Sequence, residues 1–180
     1  MSQASKHVEW CLNKARKEIE ECRKLGKRPK HRGLLKANPN LDEAKKHLAK
    51  AEHNLNGITK FKEIGFSDWS MSAGFYGIYH CFLAIAAKFG YESANQTCTI
   101  SLIRFLTEIN KIDLDEKFIK LLEYEGIEKM KEDSIINLRE DYTYGIKISV
   151  EDETKLNELK KTCKELIDFT KQIVFNDSKK

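Results

Sequence analysis

The stretch GFSDWSMSAGFYGIYHCFLAIAAKFGY, residues 65–91, is the most apolar run in an otherwise polar chain. At helical spacing, Trp69, Ala73, Tyr76 and Leu83 fall on one side; Phe75, Ile78, Tyr79, Phe82, Ile85, Ala86 and Phe89 fall around the others. A helix that is apolar on nearly every side has to be covered on several of them. Ser, Gly, Asp and His interrupt the run, whereas a bilayer span needs roughly 20 continuous apolar residues. The stretch therefore predicts the central helix of a bundle and no membrane association. Ser67 is placed to cap its start and Gly90 to stop it.

The flanking sequence fits that role. Of 180 residues, 33% are charged, and only 9 are Gly and 2 Pro, a balance that favours helices over sheets. The N-terminal MSQASKHVEW has no apolar leader core. Cys11, Cys22, Cys81, Cys98 and Cys163 form no C-x-x-C pair, so the expectation is a cytoplasmic protein with reduced thiols.

Residues 5–25 carry a narrow apolar stripe, Val8, Leu12, Ala15, Ile19 and Cys22, that ends at Gly26. A loop follows, KRPKHRGLLKANPN. Residues 23–36 hold seven Lys or Arg and no acid, so against a net charge of +4 the rest of the chain is net negative by three. Lys27, Arg28, Lys30 and Arg32 are candidate phosphate contacts; the competing reading is a solvated surface loop, since the interleaved aromatics of a stacking platform are missing. With Asn40 or Asp42 as cap, Leu41, Ala44, Leu48, Ala51, Leu55 and Ile58 make a heptad seam expected to pack antiparallel on the central helix. Further helices are expected over 99–109, over a stretch opening at 113–115 that breaks near Gly126 and resumes through Leu138, and from a Ser149–Asp152 capping box to Phe175. That totals five or six helices. IKISV, residues 146–150, is the only β-like run and is too short for a sheet. The domain plan is an N-terminal helix and basic loop over 1–40, a bundle over 41–175 and a frayed tail over 176–180.

Few residues invite chemistry. The i,i+4 pairs His7–Cys11 and Glu43–His47 lack further converging ligands, so neither a metal nor a cofactor is expected. His80, inside the apolar helix, reads as a hydrogen-bonded core residue or, where a cleft reaches it, as a proton shuttle. In LREDYTYG, residues 138–145, Arg139 carries a permanent charge suited to phosphate or carboxylate. The glycines of GFYG, residues 74–77, read as sites of close helix contact.

SMSAGFYGIYHCFLAIAAKFGY resembles the signature helix of HEPN-domain proteins, S-x-x-Y-Y-x-x-F-H-x-x-x-A-L, through Ser72, Phe75, Tyr76, Tyr79, His80 and Ala84. AKKHLAKAEHNLNGI and LREDYTYG resemble two further segments of that family, and the likeness spans residues 41–173. It implies an all-α, up-and-down antiparallel bundle, commonly a homodimer. Many members are metal-independent ribonucleases built on an R-x4–6-H motif; others partner small nucleotidyltransferases, and some are binding scaffolds. Arg139 matches the motif's Arg, but Tyr144 stands where the nearest spacing puts the His. Tyrosine, with a pKa near 10, is a poor base at neutral pH. The expectation is therefore a non-catalytic or weakly catalytic HEPN-type protein that binds a nucleotide, RNA or a nucleotidyltransferase-like partner. The alternative is a ribonuclease using Arg139, Tyr144 and His80.

Overall fold

The computed structural model describes residues 2–122 and 135–176. The described residues form an all-α bundle: α1 (Gln3–Lys24), α2 (Leu41–Glu63), α3 (Ser67–Lys88), α4 (Gln96–Glu108), α5 (Glu116–Lys120), α6 (Ile135–Tyr144) and α7 (Glu153–Phe175). Seven helices replace the expected five or six, because the stretch after Asp113 yields the short α5 before α6 begins. The expected break at Gly126 and the tail beyond residue 176 lie outside the described residues.

Helix α3 is the centre. It packs against α2, α4, α6 and α7, and Phe75, Ile78, Phe82 and Ile85 are buried. Full burial of one such side chain is worth roughly 1.5–3 kcal/mol, which is why four neighbours gather on one rod. By length and composition α3 could cross a membrane, but 78% of its most apolar window is buried inside the bundle. Trp69 and Tyr76 are the exceptions, each about half exposed.

The heptad seam of α2 meets α3 as expected, with Ala44, Leu48, Ala51 and Ile58 buried. The corner between them is a Schellman turn: Phe66 N–H donates to Phe61 O at 2.8 Å, and Gly65 N–H to Lys62 O. Gly65 adopts φ +84°, a conformation that costs glycine little. Asn40 caps α2 by accepting the Glu43 N–H. Ser67, in contrast, does not cap α3. It is the first helical residue, and its hydroxyl accepts the Val150 N–H at 2.8 Å, tying the α6–α7 connection to the start of α3. Asp152 alone, with no capping box, caps α7 through the Thr154 N–H.

Two short strands depart from the strand-free expectation. β1 (Leu34–Lys36) pairs antiparallel with β2 (Tyr91–Ser93), Leu34 opposite Ser93 and Lys36 opposite Tyr91. The pairing has no hydrophobic alternation to betray it, because two loops that follow glycines simply run side by side; residues 146–150 form no strand. Beside it, α1 packs on α4 and β1 through small residues, Ala4, Val8, Cys11 and Ala15. Cys11 and Cys98 sit 5.8 Å apart at Cα and form a disulfide, correcting the reduced-thiol expectation for this pair. Cys11 lies among the buried residues of α1 and Cys98 in the first turn of α4, and the packing of α1 on α4 brings the two thiols together.

Two measurements test this architecture. The cysteines are separated by 87 residues, and closing a loop of that length restricts the unfolded chain by roughly 4–5 kcal/mol. Cys11→Ser, or reduction, should lower stability by about 2–5 kcal/mol in chemical denaturation. At Gly74, an added β carbon would lie 2.5 Å from Leu159 Cδ2 and 2.6 Å from its Cγ. Overpacking of about 1–3 kcal/mol exceeds the helix-propensity gain of about 1, so Gly74→Ala should lower the melting temperature.

Candidate functional site

Helix α6 lays Arg139 across α3. The guanidinium lies over the Phe75 ring, 4.4 Å from ring centre to Cζ, and the side chain is only 17% exposed. One turn further on, Thr143 and Ser72 share a 2.6 Å hydrogen bond, so the two helices are held at two successive levels. Arg139 Nη2 pairs with Glu140 at 3.2 Å, and its Nε is buried with no hydrogen-bond partner. A charge held on an aromatic face keeps its cationic form and its fork of donors. Phe75 is itself framed by Tyr76, edge-on at 5.2 Å, and by Tyr79, stacked at 6.4 Å. Tyr79 OH reaches Thr99 Oγ1 at 3.3 Å, and its burial pushes the phenol pKa up.

His80 belongs to a different arrangement. Its Nδ1 lies 3.0 Å from Nδ1 of His47 on α2. The ring centres are 5.2 Å apart, nearly the nitrogen gap plus the two ring radii, so the imidazoles meet head to head. That alignment suits one shared proton: one nitrogen donates, the other accepts. A metal between them would need lone pairs converging at an angle on a third point. Among the described residues no group of three or more His, Cys, Asp or Glu is placed to hold a metal. Burial first, then the neighbouring His47 and Lys50, push His80 down to about 4. Burial also lowers His47, against the pull of Glu43, whose carboxylate is 3.9 Å from Nε2. His47 and Glu43 line a cleft of 590 Å³ with Asn38, Tyr91 and Glu92.

The candidate residues therefore do not share one set of contacts. Arg139 is engaged by Phe75 and Glu140, and His80 by His47. Tyr144, at the end of α6, is 79% exposed. No hydrogen bond joins any two of Arg139, Tyr144 and His80 among the described residues. In the basic loop, Lys27, Arg28 and Lys30 are exposed. Arg32 is held instead: its Nη2 pairs with Glu18 at 3.2 Å, and its backbone N–H also donates to that carboxylate, which is the first cause of the lowered Glu18 pKa. His7 meets the Ser101 hydroxyl at 2.9 Å and His53 is exposed.

The partner of His80 escaped sequence reading. His47 stands one residue before the seam position Leu48, and its own sequence neighbours suggest only an i,i+4 pair with Glu43. The inward turn of both rings appears only once α2 and α3 are packed. No family model matches the chain, and no curated protein matches it.

The histidine pair carries a pH prediction. His80 binds its proton less readily when folded, at about 4, than an unperturbed histidine at 6.5. Between those values the unfolded chain binds more protons, so stability falls as pH drops from 6.5 towards 4. Melting temperature measured from pH 7 to 4.5 should decline, and the decline should be shallower in His80→Gln.

Proposed function

We propose that the chain is a HEPN-type helical protein that binds RNA or a nucleotide and has little or no ribonuclease activity of its own. The observation that carries this reading is the state of Arg139: a charged fork with a spare buried donor, seated on Phe75, with no hydrogen bond or ring contact to an imidazole among the described residues. The imidazole of the signature helix is engaged by His47 instead. An anion-binding group without a positioned acid–base partner fits binding better than turnover, since loss of general acid–base catalysis typically costs 10²–10⁴-fold. A homodimer and a nucleotidyltransferase-like partner follow from the family resemblance and belong to the same proposal.

Incubation of the purified protein with single-stranded RNA in EDTA tests it. The expected result is retained, uncut RNA, bound several-fold more weakly by Arg139→Lys, which keeps the charge but loses the fork. Robust cleavage that Arg139→Ala abolishes would replace this reading with the ribonuclease one. His80→Ala separates the roles further: loss of cleavage at unchanged melting temperature marks a catalyst, and a lowered melting temperature alone marks a structural residue.

A further inference from the structure

We infer that the groove between α1 and β1 is a binding site for a nucleoside phosphate, free or as a unit of a single strand, an inference that rests on the nucleotide- or RNA-binding reading above. The groove measures 340 Å³ and is lined by Arg16, Arg23 and Lys36, with Glu20 as its one acid. This is within the range of ordinary ligand clefts, roughly 300–1,000 Å³. Leu12, Ile19 and Leu35 supply an apolar floor.

The helix places these groups with purpose-built spacing. Leu12, Arg16, Ile19 and Arg23 recur at four, three and four residues, so they share one face of α1. Arg16 and Arg23 are two turns apart, about 10.5 Å along the axis, with Ile19 between them. Lys36 approaches from the opposite wall, at the end of β1. Arg16, Arg23 and Lys36 have no ion-pair partner among the described residues, in contrast to Arg32, which Glu18 holds. Three cations against one carboxylate leave the groove positive, and the exposed Lys27, Arg28 and Lys30 extend that field beyond its end.

That chemistry selects the ligand class. Guanidinium forks recognise phosphate oxygens bidentately. An apolar strip between two such forks accepts the face of a base or the edge of a sugar. A simple inorganic anion would leave the strip uncovered, and a purely apolar ligand would leave three charges unanswered. The basic loop alone offers cations without a concave surface; the groove offers both.

Fluorescence anisotropy with a labelled 12-nucleotide single-stranded RNA decides the matter, on the full chain at several salt concentrations. Arg16→Ala/Arg23→Ala should weaken binding at least tenfold with an unchanged melting temperature, since both side chains are exposed. It should also flatten the log–log salt dependence by about 1.4, the share of two single-strand phosphates. Competition with AMP names the source: displacement at millimolar AMP assigns the groove to a nucleotide unit, and lack of displacement to the strand. If wild type binds RNA and the double variant binds equally well, the groove is overturned while the proposed function stands. If wild type binds neither RNA nor AMP, both fall.

Discussion

Cover for α3 is the constraint on which this structure depends. A rod without a polar face is stable only inside, and each neighbour must approach closely enough to exclude water. Glycine makes that approach possible on the α7 side, where Gly74 meets Leu159 and Gly77 meets Cys163. Two hydroxyls carried inward are given partners: Ser70 donates to Ile58 O at 2.8 Å, and Thr170 to Leu166 O at 2.7 Å. An unpartnered hydroxyl at either place would cost about 1–3 kcal/mol, comparable to a whole buried side chain. Cys81 and Cys163 show the same dryness, with burial pushing the first thiol far up and the second up to about 12, so neither is a reactive thiolate.

The same helix handles two ionisable neighbours in opposite ways. At Phe75 it stabilises a charge, because the electron-rich ring face lies against the Arg139 guanidinium. At His80 it suppresses one, because burial and a second imidazole both oppose protonation. The residues are five apart on one helix, yet one environment favours anions and the other is neutral at ordinary pH. A site needing both a fixed cation and a poised base would have to draw them from different contacts than those present here.

The bundle itself was legible because its evidence is periodic. The seam of α2 and the apolar run of α3 repeat over many residues, and each repetition adds to the same conclusion. Single interactions left weaker traces. Ser67 looked like a cap because serine caps are common, but its hydroxyl serves a distant N–H instead. Cys11 and Cys98 carried no spacing signal, and β1 and β2 are three residues each. At the candidate site, Arg139 could be named from its segment, but its seat on Phe75 and the His47–His80 contact depend on how helices rotate against one another. Arg32 was grouped with its basic neighbours by composition, whereas Glu18, fourteen residues earlier, had already claimed it.

The cross-link from α1 to α4 has a topological consequence. The covalent ring it closes runs from Cys11 to Cys98 and encloses β1, α2, α3 and β2, leaving α5, α6 and α7 outside. The central pair of helices thus stays tethered even in a denatured chain, while α7, which seals the remaining face of α3, diffuses freely. Renaturation from the oxidised state therefore begins with the search of α2 and α3 already confined by the ring, a restriction that does not reach α7.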